Sequence, residues 1–509
     1  MDSHRHHRGC RGRRGFVAAF FGSNYATPAC PGDTFCLFTN SRSAAPVMTF
    51  SRFRFAAAAV ALVLIAAPAV RSVAGLTGGI RNGAVGGVMI APSGSVRTAT
   101  KAERREMAAI IADHVDEIRG DLAMPAQTRV LSLSGLTAAI NDVSMGKTPL
   151  SDELIYLAGL QRIDYVLVDR ENNDVCIAGP AEPWRVAEDG SVVGQTSGQS
   201  PIRLIDLMMA FASVEDARDG GISCSIEPTA EGRRKLQTML RGVKLRPGQN
   251  PSSLEPAMRQ AFGPQMILVD GVPNDSRMAR TMVAADFEMK RIAMGLAPSP
   301  VDEVPSYLQM ARNAKHGASQ NPRWWLTCDY DAIARDEDRT TWRLSGSSDT
   351  NRRVKTMTDL DMVHRDGSVA AGGQSDVLAQ AWADKMTEYY ESMSVAIPVL
   401  ADLENIMDVT VAATLITQEN LAGDVGMDLS TLSNPSGSLE PVSYPTPESV
   451  DPQCSFIRGR AGWVVTASGG IDISGFEVVE NQQIDPSLSE TAAGLLTKTN
   501  QSRWWWDAK

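Results

Sequence analysis

Tyr165-Val166-Leu167-Val168-Asp169 and Met266-Ile267-Leu268-Val269-Asp270 share an ending, and each reads as a strand. Ahead of the first, Arg129 to Leu133 (RVLSL) reads as a strand, Leu136 to Val143 as a helix, and a second helix starts at Ser151. Ahead of the second, Ile222 to Ile226 is a strand, Thr229 to Leu240 a helix, and another helix starts at Ser252. The two strand–helix–helix–strand units suggest an internal duplication, set against the chance recurrence of an order common in α/β chains. The expected fold is mixed α/β and α+β. An N-terminal α/β region carrying the duplication precedes a smaller α+β C-terminal region.

The flanking sequence fills in this frame. Gly87 to Thr98 reads as a hairpin around Pro92-Ser93-Gly94, and Thr100 with Glu103 forms a capping box opening a helix through about Arg119. Asp174 to Gly179 and Trp184 to Gly194 read as strands, and Ile202 to Ala212 as a helix. The clearest helix is Asp275 to Leu296. Its Met278, Met282, Ala285, Met289, Ile292 and Leu296 form one apolar stripe, read as core, with Asp286 and Arg291 as solvated flanks. Arg323 to Cys328 and Trp342 to Ser345 read as strands, and Asp376 to Met393 (N-cap Ser375) and Val399 to Ile416 as a helical hairpin across Pro398. A last hairpin, Gly462 to Ser474, is expected to turn near Gly469-Gly470, and the Trp504 to Trp506 run to dock as an anchor. The regions are 75–300 (α/β), 301–429 (α+β), 430–453 (a Pro/Ser-rich linker) and 454–509 (hairpin and tail).

Upstream, residues 48–74 have the three parts of a secretory signal. Arg52 and Arg54 are the basic start, Phe55 to Val70 is uncharged and apolar, and Ser72-Val73-Ala74 is the cleavage site. The apolar run falls short of the ~20 residues that cross a bilayer, so cleavage is expected rather than anchoring. A signal normally opens its chain, so residues 1–47 read as an untranslated or disordered leader, and their histidines and cysteines enter no mechanism. The first 74 residues carry 9 of the 49 basic and 2 of the 59 acidic side chains, which leaves a net charge of −17 beyond them. Such a surface repels nucleic acid and anionic membranes. Cys176, Cys224, Cys328 and Cys454 remain, either as two disulfides or as buried thiols.

Catalytic motifs are sparse. Beyond residue 74 the histidines are His114, His316 and His364, without companions at ligand spacing, so neither a metal site nor a cofactor is expected. His114 reads as a satisfied boundary histidine. Gly146-Lys147-Thr148 lacks the earlier glycine of a phosphate loop, Asn141 standing in its place. No GxSxG elbow is present. The Asp329, Asp331, Asp336, Glu337 and Asp338 cluster reads as a solvated charged loop. In Arg323-Trp324-Trp325 strand alternation sends one indole to each face, one into the core and the other free to meet a partner or a glycan.

Leu160 to Trp184, Ser223 to Thr229 (SCSIEPT), Met289 to Leu296 (MKRIAMGL), Pro322 to Trp325 and Gly462 to Gly470 together resemble an uncharacterised domain-of-unknown-function family of exported planctomycete proteins. The resemblance implies a secreted or envelope setting and transfers no catalytic residue. The function expected is an exported, non-enzymatic protein that binds or organises envelope components, its partner an envelope protein or glycan and not nucleic acid. The alternative is an exported hydrolase using carboxylates or a distributed Ser–His site.

Overall fold

The computed structural model describes residues 88–90, 95–244, 251–313, 321–344, 353–358, 377–434, 439, 443–452, 455, 457–459, 462–464, 467–497 and 503–508. All lie within one compact unit, Arg71–Lys509. The signal segment, His316, His364 and Cys454 lie outside the described residues.

The fold is mixed α and β, built on two large sheets. The first runs, in spatial order, Val88–Ile90, Ser95–Thr98, Ser449–Val450, Gln265–Asp270, Ile222–Pro228, Ser468–Ile473, Arg323–Cys328 and Val354–Thr358. The second runs Gln482–Ile484, Ile333–Arg335, Thr341–Arg343, Tyr165–Asp169, Asp174–Ala181, Ala126–Ser132 and Trp505–Asp507. Neighbours are mostly antiparallel. Ser468–Ile473 runs parallel to Arg323–Cys328, with Trp324 opposite Gly469 and Trp325 opposite Gly470. Strands from widely separated parts of the chain thus alternate in both sheets, and the regions marked along the sequence interleave in space.

The two repeated units keep their element order and differ in pairing. Ile222–Pro228 and Gln265–Asp270 are adjacent antiparallel strands. Ala126–Ser132 and Tyr165–Asp169 are separated by Asp174–Ala181, antiparallel to both, so they run parallel to each other. Each unit belongs to a different sheet.

Between the layers lies the helix Pro398–Gln418. Proline at its start tolerates the missing donor there, and every residue from Val399 to Ile416 is buried. A helix apolar on all sides is a core helix. It packs against Leu204–Ser213, Arg277–Ala293, Tyr390–Ala396 and Gly475–Glu480.

Several expectations are corrected. Gly469-Gly470 makes no turn and lies inside a central strand. A side chain at Gly469, whose φ is +117°, would meet the Trp324 carbonyl at 1.8 Å, and one at Gly470 the Cys224 carbonyl at 1.9 Å. The glycines therefore serve close backbone approach on both sides. Asp286 is no solvated flank. It is fully buried and pairs with Lys290 at 2.7 Å, while the Lys290 Nζ also donates to the Ile226 and Gly469 carbonyls. The 430–453 stretch is packed where it is described, burying Leu432, Tyr444 and Val450. The first helix keeps its capping box and stops at Ala112, short of Arg119, as Asp152 takes the Asp116 amide at 2.6 Å.

Candidate ligand pocket

Four buried residues with carboxyl or carboxamide side chains interrupt the apolar central helix: Asp402, Glu404, Asn405 and Asp408. Glu404 and Asp408 are one turn apart and share a face. Arg353, entering from the start of the Val354–Thr358 strand, spans both, with Nη1 2.7 Å from Asp408 and Nη2 3.2 Å from Glu404. Asp408 also accepts from the Tyr330 hydroxyl at 2.5 Å and from the Ile163 amide at 2.9 Å. A buried charge must be paired and hydrogen-bonded, and this arrangement meets that requirement for Asp408.

Glu404 is less fully held, and it lines a cavity of about 280 Å³. Burial pushes its carboxyl up from 4.5 to about 7, opposed by Arg353 and helped by the neighbouring Asp408 charge. The other walls come from both sheets and the helices between them: Gln161, Arg162, Pro180, Ser197, Gln199, Arg353, Val354, Tyr390 and Glu391. Arg162 is paired with Asp164 at 2.8 Å. Gln199 donates to the Ser394 hydroxyl at 3.2 Å, and Gln161 to Glu182 and Ser197 at 2.6 and 2.7 Å. Tyr390 donates to the Leu400 carbonyl at 3.2 Å, and burial holds its hydroxyl well above the usual value. The cavity is thus ringed by amides, hydroxyls and carboxylates, and both of its guanidiniums are already neutralised.

The residues singled out from sequence lie elsewhere. Trp324 is fully buried against Trp382 (4.6 Å between ring centroids) and Tyr307, its Nε1 donating to the Ala379 carbonyl at 3.1 Å. Trp325 takes the opposite face and is half-buried. Arg323 stands 5.6 Å above its ring and pairs with Glu227 at 2.8 Å. Cys176 is buried, and burial pushes the free Cys224 and Cys328 thiols up. His114 is satisfied, its Nδ1 2.6 Å from the Ile110 carbonyl. Asp336 is buried and receives the Thr340 and Thr341 amides at 2.8 and 3.1 Å. Among the described residues no three His, Cys, Asp or Glu side chains converge as a metal set. Glu404, Asp408, Arg353, Tyr330 and Tyr390 were missed in the sequence. The signal available was the charge within PVLADLENIMDVTVAATLI, because carboxylates in so apolar a helix require a buried cation.

Residues 224–307 match a family described as a protein of unknown function, DUF1598. The likeness to that family rests on this segment alone. The DUF1598 segment runs from the Ile222–Pro228 strand through the Arg277–Ala293 helix to Tyr307 and contains none of the pocket's lining. SCSIEPT and MKRIAMGL fall on it or at its edge. No curated protein and no solved structure matches the chain.

Proposed function

We propose that this is an exported binding protein of the cell envelope that takes a neutral, hydroxyl-rich group, such as a glycan unit, into the Glu404 pocket. The observation that carries the reading is the lining. Arg162 and Arg353 are each occupied by carboxylates, so the cavity offers little to an anion. Gln161, Ser197, Gln199, Glu391 and Glu404 offer donors and acceptors suited to hydroxyls. Export rests on the signal pattern at residues 48–74, and no described helix is long and apolar enough to cross a membrane. Calorimetric titration of the purified protein with soluble envelope glycan fragments tests the reading. Saturable binding that weakens at least tenfold in Glu404→Gln is expected; absence of binding across neutral glycans refutes it.

One observation favours a hydrolase as the second reading. A cavity carboxyl near 7 is matched to general-acid work at neutral pH, with Glu391 as the other carboxylate on the wall. Release of reducing ends from the same fragments, abolished in Glu404→Gln, would select this reading over binding alone.

A further inference from the structure

The neutral groups on the wall of the Glu404 pocket have spent most of their donors and kept their acceptors. Both amide hydrogens of Gln161 are taken, by Glu182 at 2.6 Å and by Ser197 at 2.7 Å. A carboxylate only accepts, so the Gln161 nitrogen must face Glu182, and its oxygen is the polar atom left over. Ser197 gives its one proton to Glu182, and Tyr390 gives its own to the Leu400 carbonyl at 3.2 Å. Gln199 spends one hydrogen on the Ser394 hydroxyl at 3.2 Å, and its oxygen receives nothing among the described residues.

The charges lean the same way. Arg162 answers Asp164. Arg353 serves Asp408 at 2.7 Å and Glu404 at 3.2 Å, so with both carboxylates ionised one buried negative charge is left over. It belongs to Glu404, which lines the cavity and is only 6% exposed. A carboxylate has about four sites for hydrogen bonds, and Glu404 has two partners, Arg353 and the Ser394 hydroxyl. Burial raises its carboxyl, Arg353 opposes the rise, and the Asp408 and Glu391 charges add to it. Glu391, on the same wall, is exposed and holds no ion pair among the described residues. A surplus buried charge of this kind is relieved by a proton or by a second cation.

We propose that the pocket prefers an amino sugar, a hydroxyl-bearing ring whose protonated primary amine sits against Glu404 and Glu391 while its hydroxyls donate to the Gln161 and Gln199 oxygens. This rests on the reading of the Glu404 pocket as a site for a hydroxyl-rich group and adds the charge of the preferred unit. An ammonium brings three donors and no acceptor, the complement of this wall. The cavity, about 280 Å³, is small for a ligand pocket yet larger than an ammonium alone fills, which fits one ring. Pro180 and Val354 give that ring an apolar side.

Calorimetric titration of the purified full chain at pH 7 compares glucosamine with glucose and N-acetylglucosamine at matched ionic strength. Methylammonium chloride and Nα-acetyl-lysine amide are further arms. Glucosamine is expected to bind saturably and at least tenfold more tightly than every other arm. In Glu404→Gln its preference over glucose should fall to threefold or less. In the exposed Glu391→Gln, which keeps the test open should Glu404→Gln not fold, the preference should fall at least threefold. Glucosamine bound no more tightly than glucose, or a preference unchanged in either variant, overturns the amine and leaves the hydroxyl-binding reading standing. Methylammonium or the lysine amide matching glucosamine overturns the sugar ring, because charge alone then accounts for uptake by a chain of formal net charge −10. Saturable glucosamine binding with neither neutral sugar bound supports the amine and overturns the neutral unit. No saturable binding in any arm overturns both.

Discussion

Replacing Glu404 with glutamine keeps the side chain's shape in the cavity wall and removes one titrating carboxyl. In the unfolded chain that group has the ordinary value of 4.5, and in the fold burial raises it to about 7. The folded state therefore binds the proton more tightly. The stability this confers is fully present below pH 4.5 and is lost as the pH rises through 7. Between pH 5 and pH 8 the loss from this carboxyl is about 2 to 3 kcal/mol. Asp286, raised to about 6 by burial, contributes a slope of the same sign in both proteins and cancels in the comparison. Urea denaturation of wild type and Glu404→Gln at pH 5 and pH 8 measures the difference. The wild type should lose about 2 to 3 kcal/mol more than the variant over that interval. A wild-type-minus-variant difference that stays constant across the two pH values would refute the placement of Glu404 as a buried, proton-holding carboxyl.

Three further outcomes follow from the packing. Arg353→Met leaves Glu404 and Asp408 without their cation and should cost roughly 3 to 5 kcal/mol, more at pH 8 than at pH 5, read by the same denaturation. Gly469→Ala forces a Cβ into the Trp324 carbonyl at a φ of +117°; a loss of roughly 4 kcal/mol or more is expected, seen as absent near-ultraviolet dichroism. Trp505→Ala deletes a buried indole whose Nε1 donates to Glu153 at 2.7 Å and should lower stability by roughly 3 to 5 kcal/mol in thermal unfolding.

Features that depend on near neighbours were legible in the sequence. The capping box at Thr100 and Glu103, the methionine stripe and the strands at 165–169, 265–270 and 323–328 each follow from a few adjacent residues. Pairing was not legible. Nothing in Gly469-Gly470 distinguishes a turn from a strand squeezed between two backbones, because glycine serves both, and the choice is made by Cys224 and Trp324 far away in the chain. Asp286 misled for a related reason: its partner Lys290 was visible one turn on, while the Ile226 and Gly469 carbonyls that hold that lysine inside were not. The Glu404 pocket was hidden in the same way. Glu404 and Asp408 sit in one helix and Glu391 in the helix before it, the bridging Arg353 comes 51 positions ahead of Glu404, and the amides lie near residues 161 and 199.

The seat of Ser468–Ile473 between Ile222–Pro228 and Arg323–Cys328 has a bearing on how the chain must be made. A product interrupted between Cys328 and Ser468 holds both neighbouring strands and lacks the one that joins them. Its main sheet would be left as two pieces with raw edges, open to pairing with other chains. Late nonsense and frameshift lesions in this protein should therefore behave as severely as early ones, yielding aggregated or degraded material rather than a shortened working protein.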